Sequence, residues 1–113
     1  MPQYMLLLHN NSEAWGKLSQ EEKQQKIQKY LAWRNEPFVV DGAGLTRDSG
    51  RVVQQKNGRV HVTEGPFSES VEVMGGYYTI EAADYEEAVK FSLDSPHVGL
   101  GTIEIREVMV YNS

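Results

Sequence analysis

The chain has 113 residues, 40% hydrophobic and 24% charged, which is typical of a globular protein and excludes a disordered or fibrous chain, so we expect one domain over residues 1–113. It contains no cysteine, which excludes disulfides, thiolate nucleophiles and cysteine-based metal sites. The net charge of −5 disfavours direct binding to nucleic-acid phosphates. The longest apolar run, residues 5–8, is too short to span a membrane, so we expect a cytoplasmic protein with no membrane partner.

The first predicted elements are a strand and two helical segments. Residues 4–9 form a nearly continuous apolar run, which is typical of a central strand covered on both faces. Ser12 is expected to cap a short helical turn that contains Trp15. Ser19 and Glu22 form the S-x-x-E pattern of a capping box, which predicts that a longer helix begins there.

The longer helix is predicted to present one apolar stripe to the core. Ile27, Tyr30 and Leu31 recur at helical spacing, so we expect them to mark the buried side of the helix. Pro37 ends the helix, because the residue before a proline is disfavoured in helical conformation. Residues 38–40 then predict a second strand, and the two glycines that follow shortly afterwards indicate a bulge or a turn.

The Asn57-Gly58 pair gives the strongest hairpin signal in the chain. A type I′ turn needs a positive φ at both central residues, and Asn followed by Gly is the sequence that accepts this most readily. Pairing across the turn predicts that Val53 lies opposite Val62 and that Arg51 lies opposite Glu64.

The second half of the chain predicts a strand, a helix and a final strand. Tyr78, Ile80 and Ala82 are spaced by two residues and are expected to share one face of a strand. Asp84 is expected to cap the next helix. The last strand is predicted to start near Thr102.

Leaving the hairpin aside as an insertion, the predicted order is β-α-β-β-α-β, which is the order of ferredoxin-like domains and assigns the chain to the α+β class. Such a sheet carries helices on one face only. The other face needs a cover, so we expect a homodimer in which two sheets meet and form a dimeric α/β barrel.

Several motifs along the chain together resemble one known family. They are the opening Tyr-Met-Leu-Leu strand, the Asn57-Gly58 hairpin, the Gly65-Pro66-Phe67 turn, the Gly75-Gly76-Tyr77-Tyr78 run and the closing Gly-Thr-Ile-Glu-Ile strand. With these motifs the chain resembles the YCII-related family, and its DGPF branch in particular, over nearly its whole length. The resemblance implies a dimeric α/β barrel. Glu64 stands where the DGPF motif has Asp, so the carboxylate is kept one methylene further from the backbone.

The resemblance also has implications for activity and partners. Better-understood members of the family resemble small-substrate lyases or hydrolases that use a His and Asp pair. The predicted helix over residues 19–36 contains no histidine, so that pair cannot be carried over to this chain. Other DGPF proteins are encoded beside, or fused to, extracytoplasmic-function sigma factors, which implies a regulatory association with a sigma-factor system.

Three residues are candidates for acid-base catalysis. His9 ends the first strand and His97 precedes the last one, and such loop positions commonly carry binding groups. A carboxylate beside an imidazole raises its pKa and orients the ring, so His97 and Glu64 would form an acid-base pair, with His9 as a further candidate. The structural alternative is that His97 hydrogen-bonds its own loop. The histidines lack the close spacing of metal ligands, so we expect no metal and no cofactor.

Two short segments are candidates for ligand binding: the turn of Gly65, Pro66 and Phe67, and the strand start of Gly76, Tyr77 and Tyr78. The turn would form a rigid pocket wall, although a turn with a buried aromatic ring needs no ligand to explain it. The glycine would let a ligand approach the backbone, although a strand that begins after a bend explains it equally well. The two tyrosines point to opposite sheet faces, so at most one of them faces a cavity on the dimer side.

Two functions of different classes therefore remain open. The first is a dimeric small-molecule-binding or regulatory module, which the absence of a recognisable nucleophile or metal motif favours. The second is a small enzyme that uses His and Glu acid-base catalysis in a cleft at the strand ends. A catalytic site needs two titratable groups within hydrogen-bond reach beside a cavity, whereas a binding module needs only the cavity.

Overall fold

A computed structural model describes residues 1–67 and 72–111 of the chain. The described residues form an α+β fold, which confirms the predicted class. The elements are β1 (Gln3–Asn11), α1 (Ser12–Gly16), α2 (Gln20–Arg34), β2 (Val39–Gly44), β3 (Arg51–Lys56), β4 (Arg59–Glu64), β5 (Glu72–Glu81), α3 (Tyr85–Leu93) and β6 (Gly101–Glu107). None of the helices among these residues is long and apolar enough to cross a membrane.

The main sheet has four antiparallel strands in the order β2-β5-β1-β6. The predicted central position of the first strand is confirmed, because β1 pairs with β5 on one side and with β6 on the other. β3 and β4 form a separate two-stranded sheet. The strands within residues 1–67 and 72–111 do not close into a barrel.

The core lies between this sheet and the helices. Alternate residues of β1 and β5 point towards the helices, as the two-residue period of a strand requires, and they pack against Trp33 of α2 and Ala88 of α3. These buried strand residues are Tyr4, Leu6, Leu8, Tyr78 and Ile80, and Ala82, directly after β5, is buried with them. The predicted shared face of the last three is therefore confirmed. Met5 and Leu7 of β1 lie on the opposite face, which no described helix covers.

Side-chain caps fix where the helices begin. The predicted capping box is confirmed, because Ser19 Oγ accepts from the Glu22 amide at 3.1 Å and Glu22 Oε1 accepts from the Ser19 amide at 3.0 Å. The prediction that Ser12 caps α1 is wrong. β1 continues to Asn11, whose amide oxygen accepts from the backbone amides of the next turn at 3.0 and 3.1 Å. The predicted cap by Asp84 is confirmed, since its carboxylate accepts from the Glu87 amide at 2.9 Å.

The β3-β4 hairpin has the predicted register, with Arg51 opposite Glu64 and Val53 opposite Val62. Asn57 and Gly58 have φ values of 52° and 76°, which is the left-handed conformation that the turn requires. The hairpin makes little contact with the helices or the main sheet, so three of its four valines lie in solvent. Val53, Val60 and Val62 are 67%, 65% and 62% exposed.

The second strand is longer than predicted. The residues that were expected to form a bulge or a turn continue β2 as far as Gly44, with a register shift between Val39 and Asp41. Gly42 and Gly44 therefore lie within the sheet, on the side that faces α2, because residues spaced by two share a face. This extension brings two glycines beneath the helix, where they form part of the floor of a cavity.

Candidate functional site

A cavity of about 310 Å³ lies between α2 and the main sheet. Its floor is formed by β2 and β5, where four glycines line it, and one side is closed by Trp15 of α1 and by His97. The lining glycines are Gly42, Gly44, Gly75 and Gly76. At Gly76 a Cβ would lie 2.7 Å from the carbonyl oxygen of Ala43, so glycine is needed there for the two strands to approach.

The roof of the cavity is one stripe of α2. Ile27, Tyr30, Leu31 and Arg34 lie at helical spacing on one side of the helix, and all four line the cavity. The prediction that Ile27 and Leu31 are buried is wrong, because they are 48% and 53% exposed. The face of the helix is as predicted, but the glycine floor below it offers no side chains to fill the space. Trp33 is the residue of α2 that enters the core.

His97 and Tyr30 form a buried pair at one side of the cavity. His97 is fully buried, its Nε2 lies 2.9 Å from the carbonyl oxygen of His9, and its Nδ1 lies 2.7 Å from the Tyr30 hydroxyl. A carbonyl oxygen can only accept, so Nε2 carries the proton and Nδ1 accepts from the hydroxyl. Burial lowers the pKa of His97 and raises the pKa of Tyr30, which keeps both groups neutral at neutral pH.

Two arginines contribute positive charge to the cavity. Arg34 lies with Nη2 3.5 Å from Oδ1 of Asp41, and the same carboxylate accepts from the Tyr77 hydroxyl at 3.0 Å. The hydrogen bond from the Gly42 amide, followed by that from Tyr77, lowers the pKa of Asp41. Arg47 instead lies over Trp15, with its guanidinium carbon 5.0 Å from the ring centroid.

A family model for the YCII-related domain matches residues 3–112. The chain belongs to the YCII-related family. An uncharacterised protein of Rhizobium meliloti (strain 1021) is 24% identical over 115 residues, and the match covers 96% of this chain and 93% of that protein. The resemblance of the sequence motifs to the YCII-related family is therefore confirmed.

In this YCII-related protein the three candidate catalytic residues have different surroundings. Both ring nitrogens of His97 are engaged, by Tyr30 and by the His9 carbonyl, so His97 has partners outside its own loop. Glu64 ends β4 on the exposed hairpin, opposite Arg51. The side chain of His9 reaches Glu104 at 3.2 Å on the sheet face that the helices leave uncovered. The described hydrogen bonds and ion pairs thus join none of the three side chains to another.

The two candidate binding segments also lie in different places. Gly76, Tyr77 and Tyr78 line the cavity. Tyr78 is buried and donates to the backbone oxygen of Tyr30 at 2.7 Å, and burial raises the pKa of its hydroxyl to about 12. The other segment, Gly65, Pro66 and Phe67, lies at the base of the hairpin. Its Phe67 is 77% exposed and, with Pro66, lines a wider depression of the YCII-related protein instead of the cavity.

The sequence contained signals for the parts of the site that were not predicted. Arg34 continues the spacing of Ile27 and Leu31, which places a cation on the same stripe. The paired glycines at residues 42–44 and 75–76 indicate a sheet region without side chains. In residues 1–67 and 72–111, no group of three His, Asp or Glu side chains is placed to hold a metal ion.

Proposed function

We propose that this YCII-related protein is a small-molecule-binding module that works as a homodimer. The observation that carries the binding role is that Ile27 and Leu31 of α2 face the sheet without packing against it. Complete burial of an Ile or Leu side chain contributes about 1.5–3 kcal/mol of hydrophobic free energy. Ile27 and Leu31 are each about half exposed, so covering each of them would contribute roughly 1 kcal/mol more. A ligand in the cavity would cover both side chains and recover that contribution.

Binding is preferred to acid-base catalysis because of the state of His97. Its ring is fully buried and both of its nitrogens hold structural partners, so proton transfer to a substrate would first break one of these contacts. Glu64, the expected partner, lies on the exposed hairpin. A regulatory use of the bound state, as the sigma-factor setting of DGPF relatives implies, and a cytoplasmic location both remain predictions.

Two features support the homodimer. The strand order β2-β5-β1-β6, with helices on one face only, is that expected of a ferredoxin-like fold whose bare sheet face meets a second copy to form a dimeric α/β barrel. The radius of gyration is 16.0 Å, whereas a compact chain of about this length has about 13 Å. The projecting hairpin accounts for part of this larger radius of gyration. A second copy of the chain would cover the exposed valines of the hairpin.

A cavity-filling variant tests the binding role. Gly44 faces α2, and a Cβ there would meet no atom within 4 Å, so Gly44→Leu fills the cavity without a backbone clash. Gly16→Leu is the matched control, because its Cβ also meets no atom and Gly16 does not line the cavity. In a fragment screen by NMR, small apolar compounds should bind the unmodified protein and Gly16→Leu but not Gly44→Leu. Equal binding to all three, or no fragment bound by the unmodified protein, would contradict the proposal.

A further inference from the structure

We propose that the cavity selects small organic anions, in which one carboxylate is attached to a flat apolar body about the size of a single aromatic ring. This inference rests on the proposed binding function and names its ligand class. Three observations support it: the sign of the charge at the cavity, the unequal pairing of its two arginines, and the shape of its apolar walls.

The charge at the cavity is opposite to that of the whole chain. The protein has 16 acidic and 11 basic residues, yet the described residues that line the cavity include Arg34 and Arg47 and no carboxylate. Both guanidinium groups are exposed in the free protein, so a ligand in the cavity would displace water from them, which is costly unless the ligand accepts their hydrogen bonds. A neutral ligand would not offset this cost, whereas a carboxylate would accept two hydrogen bonds from the guanidinium edge in the bidentate manner that arginine favours.

The two arginines differ in their availability. Arg34 is held 3.5 Å from the Asp41 carboxylate, which offsets part of its charge. Arg47 has no carboxylate within 4 Å among the described residues and stacks on Trp15 at 5.0 Å. Stacking engages the flat face of a guanidinium and leaves its N–H edge able to donate. Arg47 is therefore the principal group for recognising the anion.

The walls fit a flat apolar body. The rings of Trp15 and Tyr30 stack with centroids 6.2 Å apart and planes inclined by 18°, so the cavity wall carries two aromatic rings in nearly parallel orientation. Ile27 and Leu31 of α2 add aliphatic contacts. The volume of about 310 Å³ lies at the lower end of the range of ligand pockets, which is about 300–1,000 Å³, and this favours a compound with one ring.

Three probes separate charge from shape. Benzoate carries both the ring and the carboxylate, benzamide keeps the ring without the charge, and acetate keeps the carboxylate without the ring. Calorimetry on the unmodified protein at neutral pH should show benzoate binding at least about tenfold more tightly than either of the others. Benzamide lacks the charged hydrogen bond, which contributes on the order of a factor of ten, and acetate lacks the apolar surface of the ring. Equal affinities for benzamide and benzoate would overturn the anion inference and leave the binding function intact. Equal affinities for acetate and benzoate would overturn the assignment of the ring to the cavity.

Substitution of Arg47 tests which group recognises the anion. Arg47→Met keeps most of the apolar stem, so it should weaken benzoate by about tenfold and leave the affinity for benzamide unchanged. Arg47→Lys should recover part of the loss, because it keeps the charge but not the planar fork. Arg59→Met, on the hairpin, is the control and should change neither affinity. An unaltered benzoate-to-benzamide ratio in Arg47→Met, or no benzoate binding by the unmodified protein, would overturn the inference, while the fragment screen with Gly44→Leu decides separately on the binding function.

Discussion

Replacement of Tyr30 by Phe removes one oxygen from the contact between α2 and the buried ring of His97. The Tyr30 hydroxyl lies 2.7 Å from Nδ1, and His97 is fully buried, so solvent does not reach Nδ1 in the folded protein. A hydrogen bond contributes about 0.5–1.5 kcal/mol net, but an unsatisfied buried acceptor costs about 1–3 kcal/mol. We therefore expect Tyr30→Phe to lower the free energy of unfolding by about 1–3 kcal/mol. For a domain of this size the melting temperature should fall by at least about 4 °C.

Urea unfolding followed by circular dichroism at neutral pH measures this loss directly. Tyr111→Phe is the matched control, because Tyr111 is 84% exposed and loses only solvent contacts. Surface substitutions of this kind usually change stability by less than about 0.5 kcal/mol. A Tyr30→Phe variant whose free energy of unfolding lies within about 0.5 kcal/mol of that of the unmodified protein would show that the hydroxyl makes no contact that folding requires.

Three further predictions concern pH, backbone approach and assembly. Burial lowers the pKa of His97 below its ordinary 6.5, so the unfolded state binds the proton more tightly. The contribution of neutral His97 to the free energy of unfolding is complete above pH 6.5. It should be lost as the pH falls from 6.5 through the lowered pKa of the folded state. His97→Gln should flatten this slope in unfolding titrations, and a slope that persists would contradict the assignment. In Gly101→Ala the Cβ would collide with the backbone oxygen that accepts from His97, so urea unfolding should show that the free energy of unfolding falls by about 1–3 kcal/mol. Gly16→Ala is the control and should show no loss, because its Cβ meets no atom. Equal stabilities of the two variants would count against the close approach at Gly101. Val53→Lys combined with Val62→Lys should convert the proposed dimer into a monomer in light scattering, because the two exposed valines lie opposite each other on the hairpin. A monomeric unmodified protein at micromolar concentration, or a dimer in the double variant, would contradict the proposed role of the hairpin.

The parts of the fold that local chemistry determines could be predicted from the sequence. The hairpin register follows from Asn57 and Gly58, because a two-residue turn leaves the pairing of the flanking strands no freedom. The buried face of β5 follows from the two-residue period through Tyr78 and Ile80. Burial on α2 could not be predicted in the same way. The spacing of Ile27 identified the face of the helix, but whether that face packs depends on glycines of distant strands.

The site was harder to predict because its members are distant in sequence. Tyr30 and His97 are separated by 67 positions, and no local pattern connects them. A carboxylate was expected beside His97 because carboxylates are the common partners of histidine. The fold supplies a tyrosine and a backbone carbonyl instead. Arg47 carries no periodic signal, since it lies in the loop that follows β2.

Ligand binding between α2 and the sheet is tested most directly by an NMR titration of the two tryptophan indole N–H signals with benzoate. Trp15 lines the cavity, whereas Trp33 lies in the core and does not line it. Trp33→Phe assigns the two signals. The Trp15 signal should move saturably, the Trp33 signal should move much less, and Gly44→Leu should abolish the shift. A Trp15 signal that stays unmoved at millimolar benzoate, or one that moves equally in Gly44→Leu, would contradict ligand binding between α2 and the sheet.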